Sequence, residues 1–298
     1  MIAILSTVFP VGLIVFVGFV AGKTLQLEIS TLSSLSLYVL FPVLVIDSLY
    51  RTTLGAENAI GIFLGFIVTY FLLCLAAWLL GQILNLSVPV QKSLVATTAF
   101  PNNGNLGLPI TLFALGESGL ERAIVYMIAS SIVILTTAPV FLMVGSFWSV
   151  VRLTLKLPLI WAILLGLGLH WSNVQLPFKI GEGLHLLAQA PIPVALLILG
   201  MQIASNRFQL KPYEVAASLM RLVGGALTAY LVGKTLGLTG LDLQVLVLQS
   251  SMPTAITAFL LVNEFGGDAA RTARVVVLST LLAFLTLPMV LWAITVAT

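Results

Sequence analysis

Stretches of about twenty apolar residues follow one another along nearly the whole chain, separated by short polar connections. That pattern suits a lipid bilayer, where roughly 20 apolar residues cross the hydrocarbon and every backbone N–H and C=O must be satisfied within the protein. Charged residues make up 8% of the 298, and mean hydropathy is +1.16. A soluble domain carries about a quarter charged residues, so the fold class is all-α integral membrane. Ten spans are expected, at 2–22, 31–50, 59–81, 92–116, 122–146, 158–172, 184–205, 213–236, 243–265 and 271–296.

Charge and cysteine usage exclude several classes. The thirteen Lys and Arg are scattered singly between apolar spans and form no basic stripe, so nucleic acid is not a partner. Cys74, the single cysteine, rules out a disulfide framework and a cysteine-based metal site. Ile2 to Gly22 lacks a basic leader and a small-residue cleavage site, and reads as a first span. One side of the membrane carries nine basic residues (Lys23, Lys92, Arg152, Lys156, Arg207, Lys211, Arg221, Arg271 and Arg274) and the other carries four (Arg51, Arg122, Lys179 and Lys234). The richer side is expected to be cytoplasmic, which places both termini outside an inner (plasma) membrane.

The fourth span contains Phe100-Pro101-Asn102-Asn103-Gly104-Asn105-Leu106-Gly107-Leu108-Pro109, which cannot continue a helix cheaply. The ninth is interrupted at Pro253, and Pro101 and Pro253 each lie nine residues into a span. Ser130 with Pro139 echoes Ser279 with Pro288, and Pro42 echoes Pro191 or Pro193, all at offsets of 149 to 152 residues. Near-constant offsets indicate an internal repeat. Because each half has an odd number of spans, the second copy enters the membrane upside down. The expected domains are a first five-helix repeat (1–146), a cytoplasmic linker (147–157) and a second, inverted repeat (158–298), with broken helices four and nine crossing near the midplane.

A helix that breaks at Pro101 and restarts near Gly107, and another restarting at Thr254, would each present unpaired N–H groups with roughly +0.5 charge. Pro101, Gly104, Gly107, Pro109 and Pro253 are the candidate helix-break residues. Asn102, Asn103 and Asn105 add carboxamides suited to a carboxylate, with Asn105 the one expected to serve the freed backbone. From the ninth span Gln249, Thr254 and Thr257 are candidate ligands and Ser250 and Ser251 candidate coupling residues, although Ser and Thr commonly bond back to their own helix. No basic residue is placed near the middle of any span. Asp47 is the one acid well inside an apolar segment. With Arg51 at i+4 it reads as a surface pair, the alternative being proton or sodium coupling. Glu264 belongs to the interface. His170 and His185 are not spaced as a metal pair, and no metal site is expected. A phosphate-binding Gly-x-x-x-x-Gly-Lys-Ser/Thr loop and a nucleophile–base–acid set are both absent, so neither ATP chemistry nor an enzyme is expected, and no cofactor beyond a possible Na+ or H+ coupling ion.

Pro101-Asn102-Asn103 followed by Gly107-Leu108-Pro109, then Gln249-Ser250-Ser251-Met252-Pro253, then Ser279-Thr280 with Pro288, resembles the auxin efflux carrier family in its bacterial permease branch. The resemblance runs across nearly the whole chain. It implies a scaffold of helices 1, 2, 6 and 7, a transport domain of helices 3–5 and 8–10, and a homodimer through the scaffold. It also implies that Asn102 matches the asparagine that contacts the substrate carboxylate in plant members, and that Pro253 and Gln249 match ninth-helix site residues. The long loop of plant members between spans five and six is missing here, so regulation through it is not carried over. Bile acid symporters are similar in fold but differ around the crossing. The function expected from residues and resemblance together is alternating-access transport of a small organic anion, such as malate, malonate or an auxin-like aromatic acid, by potential-driven efflux. Sodium- or proton-coupled symport is the alternative, and a channel or membrane sensor is the reading from another class.

Overall fold

Nearly every described residue belongs to a helix or a short connection, as an apolar chain with no water to satisfy its backbone requires. In this computed structural model the described residues are 2–141, 158–205 and 211–297. The elements are α1 (Ile2–Thr24), α2 (Ile29–Arg51), α3 (Ala56–Ile83), α4 (Val88–Ala99), α5 (Leu108–Phe141), α6 (Pro158–Trp171), α7 (Ile180–Ser205), α8 (Pro212–Thr235), α9 (Gly240–Ser250), α10 (Ile256–Glu264) and α11 (Ala269–Ala297). Among the described residues, six helical stretches are long and apolar enough to cross a membrane. The end of the expected fifth span, the expected linker with Arg152 and Lys156, and Arg207 lie outside the described residues.

Local irregularities follow from particular residues. Pro42 has no N–H to donate, and the helix ahead of it widens into a π turn at Ser36–Leu40. A second π turn, Asn103–Gly107, leads into α5, and a third, Met220–Gly224, lies inside α8. Within α5 the helix is interrupted by a kink at Gly116, whose φ of 69° and ψ of −168° suit a residue without Cβ. The fourth and fifth expected spans therefore meet at one glycine. Expected span seven begins earlier than 184, at Ile180, and bends at Gln189 and Ala190 ahead of Pro191.

The helices pack through two buried clusters, each joining elements from both halves of the chain. α1 lies along α7 with Gly18 and Gly200 at the contact, where a Cβ on Gly200 would stand 2.0 Å from the Val15 carbonyl. α2 packs on α6 and on the start of α7. The larger buried cluster joins Phe66, Tyr70, Phe100, Leu106, Tyr126, Leu246 and Met252 from α3, α5, α9 and the two chain breaks. Large apolar side chains such as Phe16, Trp161, Leu227, Leu285 and Trp292 face outward, as lipid contact demands.

Candidate functional site at two paired chain breaks

Proline ends two helices deep in the protein, and the freed backbone is satisfied by the other break. α4 stops at Ala99 and α9 at Ser250. Between them Pro101 and Thr254 form an isolated antiparallel bridge. The Asn102 N–H donates to the Pro253 carbonyl at 2.7 Å, and the Ala255 N–H donates to the Phe100 carbonyl at 2.9 Å. An unpaired backbone group in an apolar interior costs several kcal/mol, so these two bonds make the breaks tolerable. Four helix ends meet here: the C-termini of α4 and α9, and the N-termini of the π turn leading into α5 and of α10.

The expected restarts shift by a few residues. The fourth span resumes at Asn103 rather than near Gly107, because the π turn uses the carbonyls of Asn102 and Asn103 to bind the N–H groups of Gly107 and Leu108. Gly104 and Gly107 are thus helical, and Pro109 follows the π turn Asn103–Gly107 as Pro42 follows the π turn Ser36–Leu40. The break itself is Phe100 to Asn102. The ninth span resumes at Ile256 rather than Thr254, since Thr254 is held extended by the bridge.

The candidate side chains divide sharply. Asn102 is buried, and its carboxamide makes no hydrogen bond to another described residue. Asn103 is buried and donates to the Ser130 hydroxyl, which in turn donates to the Met127 carbonyl. Asn105 is half-buried on the same turn. On the ninth-span side the polar atoms are occupied except Gln249 Oε1, which is buried without a hydrogen-bond partner. The Thr254 hydroxyl donates to the Thr97 carbonyl at 2.7 Å, and its N–H donates to Ser279 Oγ at 3.1 Å. Ser251 bonds back to the Leu248 carbonyl, and Ser250 pairs with the Tyr126 hydroxyl at 3.0 Å. Gln249 is fully buried, donates to Thr111 Oγ1 at 2.9 Å and lies over Gly107, where a Cβ would stand 2.2 Å from Gln249 Oε1. Thr257 is exposed on α10.

Three expectations about charge are overturned. Arg221, counted with the interface residues, is fully buried in the π turn of α8 and donates to the carbonyls of Thr98 and Ser250. A basic residue does therefore stand beside the breaks. The expected Asp47–Arg51 pair forms, with Arg51 Nε at 2.8 Å, but Asp47 is buried rather than at the surface and is also held by His185 Nδ1 at 2.8 Å. It is not the one inward acid. Asp242 is buried against Arg122 at 2.5 Å with Asn58 alongside, and Glu214 is buried against Arg274 at 2.7 Å. Asp47, Arg51 and His185 line a cavity of about 330 Å³ between α2, α5 and α7, with Leu112, Glu117, Glu121 and Ile124 on the α5 side. Among the described residues no cluster of His, Cys, Asp and Glu is suited to a metal ion.

Long apolar helices surrounding a pair of interrupted ones define a membrane transporter of the broken-helix class. Comparison with known proteins agrees. The chain belongs to the family described as "Membrane transport protein", of the auxin efflux carrier type, whose model matches residues 3–146 and 140–291. It is 29% identical to an "Uncharacterized transporter" of Methanothermobacter thermautotrophicus, over 97% of this chain and 97% of the relative. It is 22% identical to a protein of Rhizobium meliloti named "Putative malonate transporter", over 99% of this chain and 97% of that one. An "Uncharacterized transporter YfdV" of Escherichia coli is 26% identical over 55% of this chain and 56% of its own length.

Proposed function

We propose that the protein is a secondary carrier, not an enzyme, that moves a small organic carboxylate across the inner membrane by alternating access. Its ten membrane passes form two inverted five-helix repeats, with α4 and the first part of α5 as one broken pass and α9 with α10 as the other. The scaffold is α1, α2, α6 and α7, through which two copies pair. The transport domain is built from α3, α4, α5 and α8 to α11. The termini face outward, and no cofactor takes part.

One observation carries this reading: in Asn102, a residue only 7% exposed, the carboxamide has no protein partner at the point where two helices begin. Helix N-termini present unbonded N–H groups and partial positive charge, so a carboxylate placed there gains hydrogen bonds and favourable dipoles together. Asn103 and Asn105 complete the polar lining, while Thr254, Gln249 and Ser251 hold the frame. The relative named for malonate makes a short dicarboxylate the first substrate to test. Inside-negative potential drives efflux of an anion by about 2.3 kcal/mol per charge per 100 mV.

The test is a thermal-shift titration with malonate, malate and indole-3-acetate on purified protein and on Asn102→Ala. The native protein is expected to be stabilised by at least one of these. The variant should keep its unliganded melting point and bind about 10- to 100-fold more weakly, the loss of one or two hydrogen bonds to a charged group. Unchanged affinity in the variant would remove Asn102 from the site. A proton-coupled version has its own support in Asp47, a buried carboxylate between Arg51 and His185 on a cavity wall. It predicts that the pH dependence of uptake disappears in Asp47→Asn.

A further inference from the structure

Both helix C-termini at the breaks point their last carbonyls at the same side chain. An α-helix ends with four unpaired C=O groups and roughly −0.5 charge. In transporters with interrupted helices, such ends coordinate the coupling cation. Here Thr98, one residue before the end of α4, and Ser250, the last residue of α9, both accept from the Arg221 guanidinium through different nitrogens. Thr98, Ser250 and Arg221 are all at most 1% exposed. Arg221 forms no ion pair with a carboxylate among the described residues, and its Nε is buried without a partner. A fully buried guanidinium answered by carbonyls alone is placed as a metal cation would be.

The surroundings are shaped for it. Gly225 lies one turn after Arg221 in α8, and a Cβ there would stand 2.2 Å from the Ser250 carbonyl oxygen and 2.5 Å from Arg221 Nη2. The π turn Met220–Gly224 carries the side chain, and such turns often mark functional positions.

We infer that Arg221 is a tethered counter-cation, occupying the position between the two helix C-termini that an inorganic coupling ion would otherwise fill. The consequence is a carrier that binds and moves its carboxylate without sodium. This inference rests on the carrier reading above, because the charge matters only if those helix ends belong to the moving substrate site. Arg221 is a positioning residue. It touches the helix ends and holds them so that the opposite N-termini face the guest.

The experiment has two arms that do not depend on knowing the substrate. In the first, the melting temperature of the native protein in detergent is compared in choline, sodium and lithium chloride at equal ionic strength. It is expected to be the same in all three, and a sodium-specific rise would overturn the inference. In the second, Arg221→Ala, Arg221→Gln and Arg221→Lys are compared. Arg221→Ala should melt lower and be restored selectively by millimolar guanidinium, with choline inert. Arg221→Lys should retain more stability than Arg221→Gln. A neutral glutamine variant as stable as the native protein would show that the charge is not needed and would overturn the inference. If no variant can be purified, the native series alone decides. A third measurement, carboxylate uptake into liposomes, should differ less than about twofold between sodium and choline buffers, and a tenfold sodium dependence would again overturn the assignment. Absence of any carboxylate uptake in either buffer would count against the carrier reading, while leaving the first two arms to decide on the counter-cation.

Discussion

The two chain breaks have similar sequences of events, yet they offer very different chemistry. At the first, the Asn102 carboxamide is unbonded and Asn105 is half-buried. At the second, the hydroxyls of Thr254, Ser250 and Ser251 are committed to protein partners, and Gln249 donates to Thr111 while its Oε1 is left without a partner. On the proposed reading the first break receives the guest, and the second braces it. Side chains with two or more polar atoms and no local partner are available for binding, whereas hydroxyls one turn from a carbonyl bond back to it.

Substitutions can break or sharpen that contrast. The largest effect is expected from Gly225→Val, which drives side-chain atoms into the Ser250 carbonyl and Arg221. The guanidinium would lose its place between the helix ends, and about 3–5 kcal/mol of stability should go with it, read as a large fall in melting temperature. Asn102→Ala comes next for function, with the 10- to 100-fold loss of carboxylate affinity and little change in stability. Thr254→Val should do the reverse. It leaves the buried Thr97 carbonyl short of a donor, lowers stability by about 1–2 kcal/mol, and keeps the intrinsic affinity of the folded fraction within about threefold. If Thr254→Val weakened binding as much as Asn102→Ala, the two breaks would share the site and the contrast would fail. Asp47→Asn should cost about 1 kcal/mol through its contacts with His185 and Arg51, and leave carboxylate affinity unchanged. A loss as large as that of Asn102→Ala would move the site to the 330 Å³ cavity. Thr257→Ala, on an exposed face, should stay within about 0.5 kcal/mol and leave binding alone.

Much of the skeleton was legible in the chain because prolines and amides stand out against apolar residues. Pro101 and Pro253 located the two breaks to within a few residues, and the hydrophobic runs located most helices. The rest is set by groups without sequence identity. Arg221 is a lone basic residue nine positions into a span, and its partners are backbone carbonyls, which every residue possesses. His185 and Asp47 are 138 residues apart in sequence, and nothing local joins them. Asp242 follows the start of α9 closely enough to read as an interface acid, yet Arg122 from α5 draws it inward. Gly225, one turn after Arg221, was the available signal, since a small residue beside a buried long cation makes room for it.

The bridge between Pro101 and Thr254 also bears on how such a chain is made. The Asn102 N–H and Phe100 carbonyl find their partners in Pro253 and Ala255, which emerge from the ribosome roughly 150 residues later. Until then the first break must wait in the bilayer with open backbone groups, and the insertion machinery or stray water has to shelter it. Truncation after the first half should therefore yield a polypeptide prone to degradation, and adding the second half as a separate chain should rescue it.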